Sequence, residues 1–282
     1  MANARRLRRT LTVLVALALA GVGIYITSLV LNRNDKPIVE GCTAPLGDSP
    51  QQLATDQTAN ASLIAAISVR RGLPPRAATI AIATALQESK LRNLSYGDSA
   101  GPDSRGLFQQ RPSQGWGTEA QIMDPEYATN AFYDGLVKIS GYQDLSITEA
   151  AQKVQRSGFP EAYAQHEDTG RAFASALTGQ SQAALTCTLR KPDAAGDPSA
   201  VKSQLTRAFG ALPATAGGRT VTVRAQGTQG WSVAQWAVAN AKALAITEVD
   251  CSGHSWIRDG NKGWTDSAAP DGTVTVTVAA AP

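Results

Sequence analysis

The chain has 282 residues, enough for one medium domain and a smaller one, with a composition that is ordinary for a globular protein. Its formal net charge of +3 is misleading, because Arg5, Arg6, Arg8 and Arg9 lie at the extreme N-terminus and the remaining body is near neutral. That body is no polycation, which argues against nucleic acid as a partner. The two histidines and three cysteines fall into no ligand spacing, so neither a metal nor another cofactor is expected.

Residues 1–10 read as a basic cytoplasmic tail. Residues 11–31 are apolar and uncharged, about the ~20 residues that a membrane-spanning helix needs. With the arginines before it, the segment predicts a single-pass anchor in the cell membrane with Met1 inside and the body outside. The competing reading is a secreted protein cleaved near Ala20, within the small-residue stretch Ala18-Leu19-Ala20.

Residues 32–58 form a polar connector with Pro37, Pro45 and Pro50. Asn60 is placed to cap a helix from Ala61 to Arg71, stopped by Gly72. Pro74-Pro75 opens a second helix running to Ser89, with Glu88 on the same face as Ala81, Thr84 and Ala85. A loop rich in glycine and proline follows from Asn93 to Trp116. Asp124-Pro125 starts a helix through Tyr133 to Ile139, Thr148 caps a short helix to Arg156, and Gly170 to Leu177 reads as the last helix of this region. Cys42 precedes its first helix and Cys187 follows its last. A bridge between them closes the region at its base, the alternative being two unrelated thiols.

Residues 189–197 read as a second linker. Beyond them Asp197-Pro198 caps a helix to Phe209, Thr220 to Val223 alternates as a strand, and Trp231 to Leu244 is an amphipathic helix. Three further short strands are expected at Ile246–Val249, Ser255–Ile257 and Thr273–Val278.

Three motifs occur in order within residues 60–178. Glu88-Ser89 stands at a helix end. Ser104-Arg105-Gly106-Leu107-Phe108-Gln109 follows in the loop. Asp124-Pro125 is followed by Asn130, Phe132 and Tyr133. Together they resemble the lysozyme-like lytic transglycosylases of the soluble-transglycosylase and goose-type lysozyme kind. The fourth motif departs from that family. Where it carries alanine-tyrosine-asparagine-x-glycine, this chain has Val154-Gln155-Arg156-Ser157-Gly158, and Tyr163 lies five residues further on.

The predicted elements read as a mainly α fold with the transmembrane helix first and a small α+β module over 198–282 last; the resemblance makes the part between, 59–188, a lysozyme-like domain. The resemblance implies cleavage of peptidoglycan glycan strands in a bacterial envelope, with Glu88 as acid and then base while the sugar's own 6-hydroxyl attacks. The products would carry 1,6-anhydro-muramyl ends. Ser89, Ser104, Gly106, Leu107, Gln109 and Tyr133 become candidate substrate contacts. Each has a plainer reading: Ser89 as a helix-end hydrogen bonder, Gln109 as a partner of loop backbone, Tyr133 and Trp116 as core.

The chemistry agrees with that choice of acid. A proton donor must stay protonated near neutral pH, and a carboxyl at a helix C-terminus among apolar neighbours is held in that state. A water-using muramidase would need a second carboxylate, for which Asp98 and Asp103 are candidates, although both are also natural turn formers. A third expectation is a non-catalytic glycan-binding scaffold. Asp250-Cys251-Ser252-Gly253 looks like the nucleophile of papain-like cell-wall endopeptidases, but no histidine follows at a useful distance. The tryptophans of the C-terminal module serve either its core or a surface for envelope protein partners.

Overall fold

The computed structural model describes residues 14–25, 27, 38–99, 101–156, 160–258 and 262–281. The N-terminal residues to Ile38 form one unit and Val39–Pro282 a second. In the first unit, residues 14–25 are helical with Leu14, Leu17, Leu19 and Ile24 exposed. Among the described residues no helix is long and apolar enough to cross a membrane. This overturns the expected single-pass anchor over 11–31 and the membrane location built on it. The basic tail 1–10, the ends of the apolar run and residues 32–37 of the connector lie outside the described residues.

The second unit begins with strand β1 (Gly41–Ala44) and strand β2 (Gln51–Leu53), both within the expected connector. Helix α1 (Thr55–Arg70) starts earlier than Asn60 because Gln57 turns its side chain back onto the Ala54 N–H at 2.9 Å. Asn60 instead donates to the Leu91 carbonyl at 2.8 Å. Helix α2 (Pro75–Ser89) carries proline at its first position, and Ala77 to Leu86 form an unbroken buried stretch. So apolar a helix is stable only when surrounded. Helix α1 supplies part of the cover; the rest comes, after the single turn α3 (Glu119–Ile122), from α4 (Pro125–Leu136), α5 (Ile147–Gln155) and α6 (Glu167–Leu177). Helix α6 crosses α2 most closely at Gly170, where a Cβ would stand 2.8 Å from the Thr79 carbonyl oxygen.

Strand β3 (Thr186–Thr188) returns beside β1 in a three-stranded antiparallel sheet of order β2-β1-β3. Cys42 and Cys187 are register partners in that sheet and form a disulfide across 145 residues.

Residues beyond 197 build helix α7 (Pro198–Phe209), strands β4 (Ala214–Gly217) and β5 (Thr220–Arg224), and helix α8 (Gly227–Ala239). Strands β6 (Ile246–Cys251), β7 (His254–Ile257), β8 (Trp264–Asp266) and β9 (Thr273–Val278) complete a six-stranded antiparallel sheet of order β4-β5-β9-β6-β7-β8. In β9 the valines Val274, Val276 and Val278 are buried while the threonines between them are not, the period of a half-covered strand. Helix α8 covers the apolar face of β6 and β9.

Two sheets of three and six strands correct the expected mainly α class. Helices take about 46 % and strands 17 % of the structure, so the fold is mixed. The three-residue strands β2, β3 and β8 are too short to show alternation in the sequence.

Helix α8 also packs on α1 and α6. Its Gln235 is fully buried. The amide oxygen accepts from the Ala184 and Leu185 N–H groups at 3.0 and 2.7 Å, and the amide nitrogen donates to the Ala176 and Ser181 carbonyls at 2.6 and 2.9 Å. Ser232 donates to the Leu177 carbonyl at 2.6 Å, and Asn240 to the Ser62 hydroxyl at 2.9 Å. On the surface Arg207 of α7 pairs with Asp124 and Glu126 at the start of α4, and Arg70 of α1 also binds Glu126 at 2.9 Å.

Candidate active site

Helix α2 ends where Lys90 and Leu91 both take left-handed backbone, φ 53° and 56°, and their N–H groups return to Leu86 and Ala85. Leu91 is thereby buried. Gln57 and Asn60 of α1 hold the carbonyls of Lys90 and Leu91 at 2.8 Å each. Glu88 therefore stands in the last turn of a firmly held helix, half-buried and within reach of solvent. Burial raises its pKa, and a smaller contribution from the Asp98 charge acts in the same direction. Two side chains oppose this by favouring the carboxylate. The Tyr163 hydroxyl gives a hydrogen bond of 2.6 Å to Oε1, and the nearby Gln155 side chain acts in the same direction. The net direction is upward.

Tyr163 and Gln155 are the site residues that motif matching did not assign. Gln155 stands in the departed fourth motif, at the end of α5, and also donates to the Phe108 carbonyl at 2.7 Å. Tyr163 lies in a 3-10 segment, Pro160–His166. Gln165 Nε2 and His166 Nε2 lie 3.2 and 3.1 Å from Gln87 Oε1, so the segment is stitched to the residue just before Glu88. The only signal in the sequence was a tyrosine lying just beyond the place where the family carries one.

Ser89 serves structure. Its hydroxyl donates to the Leu107 carbonyl at 2.7 Å and accepts from the Arg92 N–H at 3.2 Å, tying the loop to the helix end. Leu107 is fully buried, and Phe108 stacks on Phe132 at 4.7 Å. Gly106 donates to the Leu94 carbonyl at 2.7 Å with φ 79°, and a Cβ there would stand 2.6 Å from the Ile122 carbonyl oxygen, so the position requires glycine. Ser104 is buried within the same loop. Gln109, at φ 47°, donates from its side chain to the Gly106 carbonyl at 3.2 Å; the glutamine that acts on Glu88 is Gln155. Tyr133 is fully buried and its hydroxyl donates to the Ile64 carbonyl at 2.9 Å, which makes it core and withdraws it from any ligand.

The two other candidate carboxylates differ. Asp103 is bound to Arg111 at 2.7 Å and accepts from Ser113, and these hydrogen bonds, Ser113's first, hold its pKa well below the usual range. Asp98 caps its own loop by accepting from the Gly101 N–H at 2.8 Å, yet is near enough to act on Glu88.

Elsewhere, Cys251 is a buried thiol whose pKa is raised by burial, the reverse of what a nucleophile needs. Trp231 and Trp256 are buried, and the indole N–H of Trp264 donates to the Leu185 carbonyl at 2.8 Å. These tryptophans build the C-terminal module and its seam with the helical part. Among the described residues no three His, Cys, Asp or Glu side chains gather as a metal site.

The site is thus one raised carboxyl that accepts from the Tyr163 hydroxyl and lies beside the Gln155 side chain. No protein-family model matches the sequence, and no curated protein matches it significantly.

Proposed function

We propose that this protein cleaves the MurNAc-GlcNAc bond of peptidoglycan glycan strands as a lytic transglycosylase with Glu88 as its acid and base. The observation that carries the reading is the half-buried Glu88 carboxyl, raised by burial and held by Tyr163 and Gln155. Raised, it is a proton donor to the glycosidic oxygen as the C1–O4 bond breaks. Once ionised, it is steadied by the same two side chains, and it then takes the proton from the C6 hydroxyl as O6 bonds to C1. The proton passes from O6 to O4 and no water is consumed. The order of the three motifs, with their resemblance to the lysozyme-like transglycosylases, supports the substrate class.

The engagement of Asp103 with Arg111 favours this one-carboxylate route over hydrolysis. Asp98 supports the second reading, a muramidase, because its charge reaches Glu88. Mass spectrometry of purified peptidoglycan digested by the full-length protein separates them. Anhydro-muramyl ends made by the wild type and not by Glu88→Gln support the transglycosylase. Reducing ends lost with Asp98→Asn support the muramidase. Glycan left uncut by folded wild-type protein would sink both.

A further inference from the structure

A groove of about 810 Å3 lies beside the site, between the turn Pro112–Gln114, α4 and α5. Trp116 forms one wall and is fixed by the Tyr127 hydroxyl, which donates to its carbonyl at 3.2 Å. The floor is low because position 135 is glycine: a Cβ there would stand 3.2 Å from Val154 Cγ1 and 3.9 Å from Trp116 Cη2. Three cations line the groove, Lys138 beyond the end of α4, Lys153 in the last turn of α5, and Arg156 at its C-cap, and all three are exposed. Among the described residues none of the three is in a salt bridge. The carboxylate in the lining, Asp134, is already held by Arg71 at 2.6 Å. Glu149, one turn before Lys153, is held by the Ser146 N–H and hydroxyl at 3.0 and 2.7 Å. The groove is therefore an aromatic wall beside three cations that outnumber the one carboxylate of its lining, Lys153 also feeling the charge of Glu149.

Gln155 lines this groove and its side chain lies near enough to Glu88 to favour the carboxylate, so the groove runs up beside the candidate acid. We propose that it receives the acidic peptide stem carried by the muramyl sugar whose glycosidic bond Glu88 addresses. The proposal rests on the glycan-strand reading. A stem leaves the muramyl ring through the lactyl ether at C3, two ring carbons from the C1 whose bond is cut, and carries free carboxylates. Lys138, Lys153 and Arg156 supply the complementary charge, and the Trp116 face covers the apolar alanyl portions. The protein then prefers strands that still carry peptides over strands stripped by an amidase.

The test is affinity, measured calorimetrically with full-length Glu88→Gln so that no glycan is consumed. The probes are glycan tetrasaccharides with and without their peptide stems, and a polyglycerol phosphate. The stem-bearing probe should bind about tenfold tighter than the stripped one at low salt, with the advantage shrinking as salt rises. Lys138→Glu with Lys153→Glu, both exposed positions on helix ends, should abolish that advantage. Equal affinity for the two tetrasaccharides, or an advantage that survives both substitutions, overturns the proposal. Tighter binding of the polyglycerol phosphate than of the stem-bearing glycan also overturns it, in favour of a general polyanion site. Failure of the glycan-cleaving reading shows separately, as uncut strands in the wild-type digest, and leaves the affinity comparison standing.

Discussion

Gln235→Leu tests how firmly α8 joins the helical part to the six-stranded sheet. Leucine nearly conserves the volume but can neither donate nor accept. Four backbone groups lose their partner: the N–H groups of Ala184 and Leu185 and the carbonyls of Ala176 and Ser181. The bonds to Leu185 and Ala176 are fully buried, so those two groups stay dry, at about 1–3 kcal/mol each. The other two bonds are part-buried and their groups regain water at smaller cost. The two dry groups alone come to about 2–6 kcal/mol, against a total stability of about 5–15 kcal/mol for a typical domain. Urea unfolding is the assay, read by two probes. Tryptophan fluorescence reports mainly on the C-terminal module, since Trp231 and Trp236 lie on α8 and Trp256 and Trp264 on β7 and β8, with Trp116 in the helical part. Helical circular dichroism reports mainly on α1 to α6. The wild type should show coincident transitions, and the variant a midpoint lowered on both probes. A loss below about 1 kcal/mol, or wild-type transitions that separate, would refute the view that Gln235 locks one cooperative body.

Two further expectations concern the site and the clasp. Tyr163→Phe removes a donor that favours the Glu88 carboxylate, so the Glu88 pKa rises further. The alkaline limb of the pH–rate profile, set by loss of the Glu88 proton, should move to higher pH, while the rate at its maximum falls about tenfold; a limb that stays put refutes the assignment. Cys42→Ser with Cys187→Ser releases a cross-link spanning 145 residues, for which the chain-entropy model gives about 5 kcal/mol. Denaturant titration of the double variant should show a loss of that order.

Local chemistry in the sequence located several elements well. Proline at the first position marked α2, and Asp124 and Asp197 marked the starts of α4 and α7, because each cap is made by adjacent residues. Glu88 could be singled out because its helix-end position and its apolar neighbours are themselves local features. Elements that depend on distant partners were hidden. Strands β1 and β3 exist as a pair joined across most of the helical region, and nothing near Thr186 announces it. The start of α1 was misjudged because a polar residue that reads as a cap, Asn60, spends its side chain on Leu91, 31 positions away. Tyr163 reaches Glu88 across 75 residues, and nothing beside either residue marks the contact. Tyr133 looked available for stacking because an aromatic on a helix carries no mark of which way it faces; its hydroxyl is satisfied deep in the core.

The bond between Asn240 and Ser62 joins residues 178 positions apart. At a synthesis rate of about 5–20 residues per second, Ser62 waits roughly 10–35 s for its partner to be made. During that interval the faces of α1 and α6 that α8 will cover have nothing to rest on, so the nascent chain presents them as sticky apolar surface. Order of synthesis thus becomes a hazard specific to this architecture. The helical part precedes the element that completes it, and a ribosome stalled between the two halves would hold a body prone to association.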